Sequence, residues 1–147
     1  MNAAHYKRPE SVLVVVYTRH GDVLMLQRVQ PPDFWQSVTG SLRWGESAAD
    51  AACRELSEET GLQSADRLVD CQRRNTFPIV PPWRDRYAPG VDTNTEHVFK
   101  IELPCRPAIR LSPREHSDLR WLPRAAAARL ASSYTNREAI LQCVPSG

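Results

Sequence analysis

The sequence predicts an α/β fold in which helices pack on a mixed β-sheet. Three observations carry that expectation. A valine-rich run over residues 11–18 reads as a buried strand. Residues 47–60 carry apolar side chains at helical spacing and meet a stop signal at Gly61. Strand-like and helix-like segments then follow one another to the end of the chain.

Taken in order, residues 11–18 form the first strand, and His20-Gly21-Asp22 is a turn. Residues 23–28 alternate enough to be a second strand, so the two make a hairpin. Residues 30–33 contain Pro31-Pro32 and form a loop, and the short aromatic stretch 34–39 ends at Gly40. Ser47 caps the helix over 47–60, with Asp50 as a capping-box-like partner. Ala48, Ala49, Ala52, Cys53 and Leu56 form its apolar stripe, and Gly61 supplies the left-handed residue that ends it. Residues 67–77 read as a long strand. Residues 78–90 read as a loop with four prolines, anchored by Val80, Trp83 and Tyr87. Residues 95–103 alternate as a strand, and 109–111 and 118–122 are short strand candidates around a loop over 112–117. Residues 125–131 are alanine-rich and helical, and Asn136 caps a last helix running through Cys143. With no repeat, low-complexity tract or linker, residues 1–147 are read as one domain.

A chain of 147 residues, 41% hydrophobic and 24% charged, can bury a core without disulfide or metal staples. Its net charge of +2 is not the basic footprint of a nucleic-acid binder. The apolar run over 12–17 is too short for a signal peptide core or a membrane span. The expectation is a cytoplasmic protein with no nucleic-acid or membrane partner. Cys53, Cys71, Cys105 and Cys143 show no metal-binding spacing and read as free, small, buried hydrophobes.

Charge is unevenly placed. Glu46, Glu55, Glu58 and Glu59 gather at the helix, whereas Arg73, Arg74, Arg84 and Arg86 crowd the proline-rich segment. On a helix Glu55 lies beside both Glu58 and Glu59, and like charges at that spacing repel by a few tenths of a kcal/mol per pair, on the order of 0.2–0.5. Arg54 relieves part of this from its position four before Glu58. A hard divalent cation relieves the rest, and oxygen donors of this kind favour Mg²⁺ or Mn²⁺ over zinc. An isolated run of this kind is most often a solvated acidic face; the surrounding spacing decides otherwise.

Gly40, Glu46, Arg54-Glu55-Leu56, Glu58-Glu59 and Gly61-Leu62 stand at the spacing G-x5-E-x7-R-E-U-x-E-E-x-G-U, where U is apolar. This pattern resembles the Nudix box. The resemblance implies an α/β/α sandwich with a loop-helix-loop that carries a metal, and a hydrolase that cuts phosphoanhydrides with Mg²⁺, for which Mn²⁺ can substitute. By position, Glu55 and Glu59 match metal ligands, with Glu58 assisting, while Glu46 and Arg54 lock the loop and orient the carboxylates. Gly40 and Gly45 are expected to let the loop turn tightly. Glu58 is one candidate general base. Glu115 is another, as base or additional metal ligand from outside the box.

Segments beyond the box carry a narrower resemblance. Tyr6-Lys7-Arg8-Pro9, Pro32-Asp33-Phe34-Trp35-Gln36-Ser37-Val38-Thr39-Gly40-Ser41, Arg86-Tyr87-Ala88-Pro89-Gly90, Asn94-Thr95-Glu96 and Asn136-Arg137-Glu138-Ala139-Ile140 are similar to the bacterial dihydroneopterin triphosphate pyrophosphatases. That subgroup implies hydrolysis to the monophosphate and pyrophosphate, with slower action on dATP and other nucleoside triphosphates. Lys7 and Arg28 are candidate phosphate contacts, and Thr39 offers a hydroxyl beside the box. Phe77, Ile79 and Trp83 are candidates to wall the ring, Pro78 and Val80 are further candidates for substrate binding, and Ser133 matches the pterin end by resemblance. A (d)NTP-sanitising or dinucleoside-polyphosphate hydrolase is the alternative within the class. A non-catalytic nucleotide-binding module is the alternative outside it. Oligomeric state, metal count and the identity of the base stay open at this point.

Overall fold

Alternation along the first strand sets the layering. β1 (Glu10–Thr18) points Val12, Val14 and Val16 into one core and Leu13, Val15 and Tyr17 into another, and all six are buried. A strand apolar on both sides belongs in the middle of a sheet covered on both faces. The structure, a computed structural model that describes residues 6–63 and 65–146, has that arrangement.

The remaining elements are β2 (Asp22–Arg28), β3 (Trp35–Gln36), β4 (Val38–Ser41), α1 (Ala48–Thr60), β5 (Val69–Pro78), α2 (Pro81–Arg84), β6 (Thr93–Leu103), β7 (His116–Pro123), α3 (Arg124–Leu130) and α4 (Tyr134–Cys143). The seven strands form one mixed sheet with the central order β3-β2-β1-β6-β5, to which β4 adds on β1 and β7 on β2. β1 runs parallel to β6 from Glu10↔Thr95 to Thr18↔Leu103. α1 covers one face, where Ala51, Ala52 and Leu56 pack with Val12, Val14 and Leu24. α3 and α4 cover the other, where Ala127, Ala139 and Ile140 pack with Leu13, Val15 and Met25. The result is the expected α/β/α sandwich. Each fully buried aliphatic side chain contributes about 1.5–3 kcal/mol to holding the layers together.

Along one edge β1 changes partner. Ser11–Val14 pair with β4, whereas Tyr17 pairs with Val23 of β2. β4 and β2 part at this point, and the opening lies between the ends of β2, β3, β4 and β7.

Several local expectations are corrected. Ser133, not Asn136, caps α4: its Oγ accepts from the Asn136 N–H at 3.2 Å. The Asn136 side chain instead accepts from the Ser37 N–H at 2.8 Å and donates to Ser37 Oγ at 2.9 Å, tying α4 to the β3–β4 junction. Residues 109–111 form no strand; Ile109 and Leu111 pack on the α1-side core, and Arg110 N–H donates to Thr60 O. The proline-rich segment contains the short helix α2, because proline's fixed φ and missing N–H suit a first helical turn. His116 and Ser117, expected in a loop, open β7. Of the four cysteines only Cys143 is buried; Cys105 is exposed, and Cys71 Sγ lies 3.3 Å from Cys143 Sγ. No helix among the described residues is long and apolar enough to cross a membrane.

Candidate active site

α1 begins and ends where the sequence says it should. Ser47 Oγ accepts from the Asp50 N–H at 3.1 Å, and Gly61 takes φ 78° as the left-handed cap. Its inner face buries Glu55 and Glu59 together with Leu56, while Glu58 points outward. The carboxyl of Glu55 lies against the backbone of β4 at Gly40. A Cβ there would overlap its carboxyl carbon and both its oxygens. Gly40 therefore serves close approach within a strand, not the tight turn expected of it.

Arg54 is the clamp of the loop. Its Nε and Nη2 donate to the two oxygens of Glu46 at 2.9 and 2.8 Å, a bidentate contact. Its Nη1 donates to Glu55 Oε1 at 2.8 Å and its Nη2 to Ser41 O at 3.0 Å. Glu46 also accepts from the Arg43 N–H at 2.9 Å, which closes the loop before α1. The bonds from Arg54 hold the Glu46 carboxyl down at about 2. Arg54 thus fixes the Glu55 side chain from one end while Gly40 leaves room for it at the other.

Glu59 is the most secluded carboxylate, 1% exposed, and its Oε1 has no hydrogen-bond partner. Burial raises its proton affinity well above the ordinary range, and the adjacent Glu55 and Glu115 add to this, against one bond from the Thr39 N–H. Glu115 lies across the opening, carried on the turn before β7; its carbonyl accepts from the Val29 N–H at 2.9 Å. Glu59, Glu115 and His116 bring one ligand atom each within 4.8 Å of the others. His116 is 3% exposed, and burial and the Arg28 charge push it down to about 4. The ring is therefore neutral near pH 7, and its Nε2 faces Gln36 Nε2 at 3.1 Å and Glu59 Oε1 at 3.8 Å. Crowded carboxylate oxygens, of which Glu59 Oε1 is orphaned in the interior, fit a divalent metal ion.

Cations share the opening with the carboxylates. Arg28, Arg86, Arg114 and Glu115 line its first cavity, about 480 Å³ in volume. Burial and the charges of Arg86 and Arg28 lower the proton affinity of Lys7, so three cations crowd one another here. Such a cluster favours a polyanion. A second cavity, about 680 Å³, continues from it along Lys7, Glu55 and Arg86 towards Phe77, Ile79 and Ser133. Lys7, Arg28, Thr39, Phe77, Pro78, Ile79, Val80 and Ser133 all border that second cavity. Two details differ from expectation. The Thr39 hydroxyl donates to Val12 O at 2.8 Å inside the sheet, so what Thr39 offers the carboxylates is its N–H. The Ser133 Oγ is engaged as the α4 cap.

Three arginines around the proline-rich segment, and the candidate base Glu58, lie outside the two cavities. Arg73 pairs with Glu138 of α4 at 2.9 Å, and Arg74 borders a separate surface hollow with Cys71. Arg84 borders another hollow, away from the carboxylates. Glu58 is exposed and paired with Arg43 and Arg54 at 3.6 and 3.4 Å, outside the lining of either cavity. His116, Gln36 and Arg114 were not anticipated; a lone histidine or glutamine carries no periodic or spacing signal.

The comparisons agree with this geometry. A model of the NUDIX domain matches residues 7–143. The chain is 49% identical over 143 residues to dihydroneopterin triphosphate diphosphatase of Escherichia coli K12, covering 95% of this chain and 94% of that protein. It is 42% identical over 139 residues to the protein of the same name in Haemophilus influenzae, covering 92% and 87%. The solved structure of the E. coli dihydroneopterin triphosphate pyrophosphohydrolase superposes with a TM-score of 0.87 over 95% of this chain and 97% of that one. A glutamate-bearing helix clamped by Arg54, a carboxylate cluster at the parting of two strands and a family match over nearly the whole length lead to one conclusion: this chain belongs to the NUDIX hydrolase family.

Proposed function

We propose that this chain hydrolyses dihydroneopterin triphosphate to dihydroneopterin monophosphate and pyrophosphate, using Mg²⁺, with Mn²⁺ able to substitute. The observation that carries the reading is a pair of adjoining cavities lined by the carboxylates Glu55, Glu59 and Glu115 and by the cations Lys7, Arg28 and Arg86, with an apolar extension lined by Phe77 and Ile79. A triphosphate joined to a flat ring presents that same sequence of charges and surfaces. The names of the relatives at 49% and 42% identity support the choice of ring.

Glu55, Glu59 and Glu115 are the residues that would hold the metal, with His116 beside them. When bound, such an ion supplies charge neutralisation of the phosphoryl oxygens and of the leaving pyrophosphate. Lys7, Arg28 and Arg86 bind and orient the phosphate chain. A water adds to phosphorus, the bridging oxygen leaves with pyrophosphate, and a carboxylate takes the water proton. Glu115 borders both cavities and suits that role. Glu58, tied to two arginines outside them, suits it less.

The test is product analysis with purified protein, Mg²⁺ and dihydroneopterin triphosphate. The reading expects monophosphate and pyrophosphate in equal amounts. Orthophosphate and a diphosphate would place the cleavage at the wrong bond and overturn it.

A further inference from the structure

Beyond the phosphate opening lies a third cavity of about 410 Å³, which shares Phe34, Thr39, Phe77 and Ser133 with the second. Its size falls among small-ligand sites, roughly 300–1,000 Å³. Leu13, Phe34, Phe77, Pro78 and Val80 give it an apolar lining suited to a flat ring. One fully charged type of side chain interrupts that lining: Glu96 of β6, only 5% exposed.

Glu96 has no cationic partner among the described residues. Its carboxylate accepts from Asn75 Nδ2 at 3.3 Å on the neighbouring strand and from the Thr135 side chain of α4. A carboxylate has about four acceptor sites, so two neutral donors leave capacity unused. Burying that capacity costs stability unless something supplies further donors. Burial already raises the proton affinity of Glu96, as expected for an under-supplied carboxylate. Two residues earlier on the same face of β6, Asn94 is 5% exposed, borders the second cavity, and leaves its Oδ1 without a partner. β6 thus offers acceptors, not donors, to whatever enters from the phosphate side.

We infer that Glu96 is the ring-recognition residue of this enzyme, accepting hydrogen bonds from the adjacent amino group and ring N–H of a 2-amino-4-oxo pyrimidine edge. The inference rests on the substrate reading above and extends it to a residue outside the metal and phosphate machinery. A carboxylate meets an amino group and a neighbouring ring N–H with two parallel bonds. An edge lacking that donor pair leaves the carboxylate buried and under-supplied, so the cavity rejects it. Thr135 and Asn75 then serve to position the carboxylate, and Asn94 adds an acceptor where the ring joins its side chain.

The test compares dihydroneopterin triphosphate with the same triphosphate lacking the 2-amino group, in the unaltered enzyme and in Glu96→Gln. The unaltered enzyme is expected to prefer the amino-bearing substrate in kcat/KM by about 10- to 100-fold, the worth of a hydrogen bond to a charged group. Most of that preference should appear in KM. Glu96→Gln should bring the ratio close to one. Equal losses on both substrates, with the ratio kept, would make Glu96 structural and overturn the inference. An unaltered enzyme that does not distinguish the two substrates would overturn it without any variant, so a Glu96→Gln protein that fails to fold does not shield it. No turnover of dihydroneopterin triphosphate at all would sink the substrate reading, and the ring assignment with it. Turnover without discrimination would sink the ring assignment alone.

Discussion

A Cβ added to Gly40 would occupy the space of the Glu55 carboxyl group. Strand β4 and helix α1 therefore meet at a single atom's clearance, and the clearance sets where the Glu55 carboxylate lies. Gly40→Ala should leave most of the fold intact, because position 40 is half-buried and the added Cβ meets only the far end of the Glu55 side chain. It should displace Glu55 by about an ångström, a shift that costs roughly 100-fold in kcat. Steady-state kinetics with a circular dichroism control check this. A rate within a few-fold of the unaltered enzyme would mean that Glu55 position does not matter.

Glu59→Gln separates stability from activity. Glu59 lies buried beside Glu55 and Glu115, an arrangement that favours a neutral side chain when no cation is bound. The amide variant should melt at the same or a higher temperature than the unaltered protein in EDTA. It should also lose most of the stabilisation that added Mg²⁺ gives, and its kcat should fall steeply. Differential scanning fluorimetry with and without Mg²⁺ reads both effects. Equal metal-induced shifts in the two proteins would remove Glu59 from the ligand set.

The cations that line the opening make a different prediction. Arg28→Gln or Arg86→Gln should raise KM for any triphosphate by about 10-fold or more, with a smaller change in kcat. The loss should shrink as salt is added, since screening weakens the contact that was removed. A KM unchanged at low ionic strength would place the phosphates elsewhere.

Stability at acid pH reports on the Arg54 clamp. Glu46 titrates at about 2 in the folded protein against an ordinary value of 4.5. A carboxyl depressed by folding contributes stability that is complete above its unfolded value and is lost as pH falls through its folded one. Urea midpoints should therefore drop between pH 4.5 and about 2, and Glu46→Gln should be less stable above that window and flatter across it. A variant with the same acid profile as the unaltered protein would show that the Glu46–Arg54 contact adds nothing to folding.

What could be read from the sequence was local or repeated at a fixed interval. Ser47, Gly61 and the glutamate spacing fix α1 within a few bonds of chain, so its ends and its carboxylates were legible. β1 was legible because both of its faces are apolar. Asn136 and Ser133 share the preference for a cap, and what decides between them is a tie to Ser37 far away in sequence. Residues 109–111 have strand-like composition but no partner strand to bond. Glu115 was reached only through resemblance. His116 was not reached, since its place beside Glu59 follows from the pairing of β7 with β2. The role of Gly40 could not be read either, because a turn glycine and a close-approach glycine look alike without the partner in view.

The most direct test of the account is pyrophosphate release from dihydroneopterin triphosphate, dATP and dGTP, each with Mg²⁺ and with EDTA. EDTA should abolish release, and kcat/KM for the pterin should stand at least about tenfold above either nucleotide, a difference of roughly 1.4 kcal/mol in transition-state binding. Metal-dependent release that favours a nucleotide by that margin would contradict the substrate while keeping the chemistry. Release that persists in EDTA would contradict the metal site itself.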